Sequence, residues 1–379
     1  MSGLKPFNLE AEGLYGRTVI QDLVQLALGG LRQMYHIDRH SFCYGTERGK
    51  DSLANFGLSR TNTLIAMIGI RKAEIAGYQP PIEMAPALKS LAESVSSLDT
   101  IGNVGLYLWL SSMYSASVNP LQSSGIELGS VLTRFMDARE HRTMELAWFL
   151  AGLSEFAGNS NSSKKELELL AELATETYLL LRGNQEASGL FRHSSSRHSI
   201  SGRLRSRIAS FADQIYPIFA LARFSVVFGV ESGVLSALSC AERVCNLQGP
   251  LGQWWWHYDA VDGRVVGRYP VYSVHQDGMA PMAFLALSRA SGRSFSGPLF
   301  KGLNWIYGNN ELAADLRDER HSVIWRNIHQ SKLERYIEEG RLFLFPSARA
   351  APASRLEILF ECHPYHLGWI LFAFADPDR

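Results

Sequence analysis

Within the stretch WWWHYDAVDGRVVGRYPVYSVHQDGMAP, Trp254 to Pro281, His275 and Asp277 stand two residues apart with Tyr272 just upstream. Histidine titrates near neutrality and can give or take a proton. A carboxylate in an apolar cavity can have its pKa raised until it serves as an acid. Asp277, His275 and Tyr272 are therefore the candidate catalytic residues. Aromatic surface adjoins them: in an extended segment Trp254, Trp256 and Tyr258 would share one side and Trp255 the other. That face would stack on a substrate. Arg268 would hold an anionic group or form a surface pair, and Asp259 and Asp262 fit a turn at DAVDG. Buried Trp, Tyr and His each need a hydrogen-bond partner, so a plain core segment is not expected to carry this mixture. On this reading Asp277→Asn abolishes turnover and leaves Tm near wild type.

The elements that must position these groups are helical nearly everywhere, and they repeat. SFCYG, GLFRHSS and GQWWWHYD are each followed by a polar loop and an apolar helix pattern ending at Gly77, Gly229 or Gly292. Asp213 and Asp277 each precede a proline by four residues, and proline is tolerated in a first helical turn. Extending the alternation gives six helix pairs. First members cover 17–37, 82–98, 123–137, 164–182, 230–246 and 294–308; second members cover 59–77, 101–117, 140–157, 209–228, 275–291 and 363–375. The second set is apolar all round, as in GLYLWL and GWILFAFA, whereas KKELELLAELATETYLLL is amphipathic. The pattern predicts an all-α fold, an (α/α)6 toroid formed by residues 1–379 as one domain. Residues 309–360, with GRLFLFPS and RLEILFE alternating like short strands, predict a β-hairpin-like insertion before the last inner helix. Ser194–Arg207 reads as a surface loop, with a lid as the alternative.

In such a ring the inner helices run the same way, so their N-termini gather at one rim. Arg60 and Asn62, Asn103, His141, Asp213, Glu361 and His363 occupy the other starts. Unsatisfied N–H groups and helix dipoles favour anions there. Capping would account for Asn62, Asn103 or Asp213, but not for histidines recurring at equivalent starts. Arg60, Asn103, His141, Asp213, Glu361 and His363 join Trp254, Trp256, Tyr258 and Arg268 as candidate substrate-binding residues.

Composition bounds the function. A hydrophobic fraction of 46% and a charged fraction of 20% over 379 residues describe a globular chain with a large core. Lys+Arg and Asp+Glu both number 37, which argues against nucleic acid as a partner. The four cysteines form no CxxC pair, no run is long enough to span a membrane, and MSGLKPFNLEAEG lacks a leader's apolar stretch. A cytoplasmic setting is expected, with no metal and no cofactor.

Three resemblances rest on particular residues. Gln248 to Trp254 fits the QxxxGxW spacing of squalene–hopene-type triterpene cyclases, which are helical toroids with aromatic, cation-stabilising cavities. Only one copy occurs, and Asp315-Leu-Arg-Asp318 departs from their DxDD acid motif at its third position. The block YPVYSVHQDGMAPMA is similar to that of uncharacterised bacterial proteins associated with polysaccharide genes. Their toroid relatives include glycoside hydrolases, polysaccharide lyases and uronate epimerases, so that resemblance implies a carbohydrate substrate. Cys43-Tyr44-Gly45 and Cys362-His363 resemble in part the zinc motifs of lanthionine cyclases, but their order differs and Pro364 replaces a glycine. The expectation is an acid/base enzyme on a small or oligosaccharide uronate-like substrate: hydrolase, lyase or epimerase. A terpenoid cyclase and a non-enzymatic binding scaffold are the alternatives.

Overall fold

The computed structural model describes residues 13–50, 52–93, 100–114, 141–159, 164–195, 206–331 and 355–375. Its six inner helices are α2 (Arg60–Ile75), α4 (Ile101–Ser112), α5 (Thr143–Asn159), α7 (Ala212–Phe228), α9 (Ala280–Ser291) and α11 (Pro364–Phe374). Each packs on the next, and α11 packs back onto α2, closing the ring. Five outer helices are described: α1 (Gly13–Met34), α3 (Met84–Glu93), α6 (Lys164–Gly183), α8 (Glu231–Asn246) and α10 (Ser296–Ile306). The expected outer helix at 123–137 lies outside the described residues, as do GRLFLFPS and most of the 194–207 loop. The (α/α)6 toroid is the observed architecture.

Burial follows the sequence pattern. All twelve residues of α4 are buried, whereas α6 buries one stripe, Leu170, Leu173, Ala174, Thr177, Tyr178 and Leu181. Each large apolar side chain in that stripe contributes roughly 1.5–3 kcal/mol by leaving water. Ring closure depends on backbone contact between inner helices. A Cβ on Gly69 would lie 2.1 Å from the Gly368 carbonyl oxygen, and one on Gly152 would lie 2.0 Å from that of Gly105. No side chain fits between those helices.

Short strands lead into four of the inner helices. β2 (Ser41–Arg48) and β3 (Leu53–Leu58) form a hairpin before α2, with β1 (Tyr35–His36) on its edge. β4 (Ile208–Ser210) precedes α7 and pairs with β5 (His257–Asp259), which pairs with β6 (Arg264–Gly267). β7 (Val271–Tyr272) precedes α9, and β12 (Glu361–Cys362), paired with β2, precedes α11. After α10, β8 (Arg317–Asp318) and β9 (Val323–Ile324) pair with each other. β10 (Asn327–Gln330) lies between β7 and β11 (Leu356–Leu359). The 309–360 segment thus adds strands beside the ring mouth, and β10, which the sequence alternation did not single out, is its innermost. Among the described residues no helix is long and apolar enough to cross a membrane.

Candidate active site

At α2 and α4 the helix start is capped by the residue just before it rather than by the asparagine expected to bind. The Asn62 N–H donates to the Ser59 hydroxyl at 3.1 Å, and the Asn103 N–H to the Thr100 hydroxyl at 3.2 Å. This leaves both amides for other work. Asn62 Nδ2 donates to the Tyr44 carbonyl at 2.7 Å, and Asn103 Oδ1 accepts from Thr61 Oγ1 at 2.8 Å. Before α9, Pro281 has no N–H to continue an ordinary α turn. The chain widens into a π turn over His275–Met279, where the Ala280 N–H reaches the His275 carbonyl. Such wide turns occur frequently at functional sites.

A cavity of about 220 Å³ opens at this mouth. Among its lining are Thr61 and Asn62 from α2, Trp148 from α5, Tyr216 from α7, His275 from the π turn and Tyr365 from α11. Trp256, Tyr272 and Arg326 complete it from the rim strands and loops. Three residues expected in the site, Tyr272, His275 and Trp256, therefore meet here. The Trp256 ring lies nearly parallel to the His275 ring at 5.9 Å, and 4.8 Å from Tyr272. Burial, helped by the charge on His366 and opposed by a bond to the Trp254 backbone, pushes His275 down to about 3. Its Nδ1 has no hydrogen-bond partner. It is a neutral imidazole with a ring nitrogen in reserve.

Arg326 is the cation of this lining. Its Nη1 donates to Glu361 Oε2 at 2.7 Å, while its Nε is buried without a partner. Burial disfavours the charge, but Tyr365, Tyr272 and Glu361 more than offset that, so the guanidinium stays cationic. Glu361 also faces His363 Nε2 at 3.4 Å. Burial first, then the Arg326 charge, lowers His363 to about 4. Glu361 and His363 thus stand behind Arg326, and Asn103 stands behind Thr61; all three support the lining from outside it.

Other expected residues go elsewhere. Asp277 points away from the cavity and pairs with His366 Nε2 at 2.7 Å; both side chains are buried. Burial raises the Asp277 pKa. It also opposes charge on His366, but Asp277 outweighs it and holds His366 at about 9, so the pair retains a proton. Trp254 lies wholly in the core between Phe211 and Phe284, at 5.7 and 5.5 Å, and Tyr258 is equally buried. Stacking of either on a substrate is not available. The alternation that grouped them with Trp256 fails because β5 begins only at His257, with a register irregularity between His257 and Tyr258. Asp213 forms a reciprocal cap with Ser210 and accepts from His193 Nδ1 at 3.0 Å. His141 exchanges bonds with Ser195. Arg268 is exposed, its guanidinium 5.5 Å from the Trp255 ring centre. Neither these three nor Arg60 is among the lining residues.

The motif-level expectations resolve similarly. Gln248 Nε2 donates to the Gly252 and Pro298 carbonyls, so the QxxxGxW residues pin a loop to α10 while Trp254 fills the core. Among the described residues no group of three or more His, Cys, Asp or Glu could hold a metal, so Cys43, Cys362 and His363 are not a ligand set. Arg326, Tyr365, Tyr216, Trp148 and His366 went unrecognised in the sequence. Tyr216 and Tyr365 carried a signal, as neighbours of helix starts already singled out. Arg326 carried none: it reaches the cavity because Asn327 on β10 pairs with Tyr272 on β7.

No family model matches the chain, and a search of curated proteins finds no match. Solved structures do resemble it. An unsaturated glucuronyl hydrolase specific for heparin aligns with a TM-score of 0.59 at 13% identity, covering 96% of each chain. A sugar epimerase from a ruminal bacterium gives 0.63 at 10% identity, over 94% of this chain and 98% of the other. A possible member of the GH105 family from Salmonella enterica subsp. enterica serovar Paratyphi A gives 0.61 at 12%, over 98% and 95%. What they share with this chain at such identities is the helical toroid.

Proposed function

We propose that the chain is an acid/base enzyme acting on a carbohydrate, with a sugar acid or comparable uronate-like ring held in the cavity at the inner-helix mouth. The observation that carries this reading is His275: a neutral imidazole, one ring nitrogen unpartnered, in the same cavity as Arg326. Arg326 would hold the substrate carboxylate, for which its planar donors are suited. His275 would take a proton from the adjacent carbon, and a tyrosine hydroxyl, Tyr272 or Tyr365, would return or donate one. Trp256 and Trp148 would flank the ring.

Within hydrolase, lyase and epimerase, proton transfer at carbon fits best. Hydrolysis ordinarily needs two carboxyl groups flanking the scissile bond. Among the described residues no Asp or Glu lines the cavity, and the nearby Asp277 and Glu361 are engaged by His366 and Arg326. A cation cyclase needs a nearly wholly apolar interior, whereas this lining carries His275, Arg326, Asn62 and tyrosines. The names of the fold neighbours, a glucuronyl hydrolase and a sugar epimerase, agree with a sugar substrate.

The test is incubation with uronates and reducing sugars in deuterated water. Wild type should introduce carbon-bound deuterium, seen as a mass increase in recovered sugar. His275→Asn should reduce that rate by about 10²–10⁴-fold. Cleavage of glycosidic bonds without any carbon exchange would sink the proton-transfer reading.

A further inference from the structure

We infer that the β2–β3 hairpin carries a second saccharide subsite, in which Tyr44 stacks on the sugar ring next to the one held in the cavity. The inference rests on the carbohydrate reading above and gives the substrate a length: a disaccharide or longer chain. At about 220 Å³ the cavity is smaller than the usual range for ligand sites, about 300–1,000 Å³, and suits one ring. Further units must lie outside it.

The side of the mouth formed by α2 and α11 offers them a surface. From Tyr365, which lines the cavity, rings continue outward: Tyr365 to His363 at 5.8 Å, His363 to Tyr44 at 5.0 Å, and Tyr44 to Phe56 at 5.8 Å. Tyr44 is 45% exposed, although its neighbours Phe42, Cys43, Gly45 and Thr46 on the strand are all buried. An exposed aromatic among buried positions presents apolar surface with little side-chain entropy left to lose on binding.

The shelf is also held in place. His363 meets the Tyr44 ring edge-on at 78°, and the Tyr44 carbonyl is tied to Asn62 of the cavity wall. A Cβ on Gly45 would lie 2.8 Å from Phe56 Cζ and 3.2 Å from His363 Cε1, so the absence of a side chain lets both rings close against β2. A pyranose ring, with apolar C–H faces, is the occupant such a fixed, cavity-adjoining ring fits.

The experiment titrates a uronate monosaccharide and a disaccharide bearing the same terminal ring into the full chain, followed by intrinsic tryptophan fluorescence. Wild type should bind the disaccharide more tightly. Tyr44→Ala should weaken disaccharide binding by about tenfold and leave the monosaccharide unchanged, while Tyr44→Phe should retain both. Equal binding of the two lengths by wild type, or equal effects of Tyr44→Ala on both, overturns the subsite alone. Binding of neither sugar overturns the carbohydrate reading and the subsite with it.

Discussion

His275 and Asp277 are separated by one residue, yet the π turn sends one to the cavity and the other into the core. The distinction changes what a substitution does. Asp277→Ala removes the carboxylate that keeps His366 protonated, so burial discharges the imidazole and leaves its buried ring nitrogen without this partner, at a cost of about 1–3 kcal/mol. Its urea midpoint should fall well below wild type, unlike the unchanged Tm expected from a carboxylate serving only catalysis. A midpoint within error of wild type would show that the His366–Asp277 contact at 2.7 Å contributes nothing. Sequence proximity marked the neighbourhood correctly, but a two-residue spacing does not say which side of a widened turn each side chain takes.

Inner helices succeed one another at backbone contact, and the glycines that permit this were visible only as ordinary members of apolar runs. Gly368 sits in α11, where an added Cβ would lie 2.7 Å from the Ile65 carbonyl and 2.9 Å from Ala66 Cα of α2. Gly368→Ala should force the first and last inner helices apart and lower stability by about 1–3 kcal/mol or more, read by thermal denaturation. A full melting temperature would mean that ring closure tolerates that separation. The helices themselves were legible. Expected second members at 101–117 and 209–228 appear as Ile101–Ser112 and Ala212–Phe228, and Gly229 and Gly292 end helices in the left-handed region at φ 70° and 72°. Period and helix stops are local properties, so local sequence carries them.

Histidines from two repeats, His275, His363 and His366 buried and His257 partly exposed, lie near one mouth, and that sets the response of the whole ring to pH. His257, His275 and His363 have folded pKa values of about 4, 3 and 4, against 6.5 when unfolded, burial being the largest cause in each. The unfolded chain therefore takes up protons that the folded chain refuses. Stability should fall as pH drops from 6.5 towards 4. His366 acts oppositely: raised to about 9, its contribution is complete below 6.5 and is lost as pH rises through 9. Denaturant unfolding across this range should give a maximum near neutrality, and His363→Gln should flatten the acid side. An acid limb unchanged in that variant would remove His363 from the account.

By itself the sequence determined the periodic helix pairs, the apolar inner set and the convergence of Tyr272, His275 and Trp256, because repeat length, amphipathicity and the position of a helix start are written in consecutive residues. Only the tertiary structure decided that Arg326 joins them from the insertion, beside the strand β10, that Trp254 and Tyr258 belong to the core, and that Asp277 answers to His366 on the neighbouring helix α11. Those outcomes depend on strand register, a widened turn and the closure of the last helix on the first, which bring together residues dozens of positions apart and leave no mark in any local window.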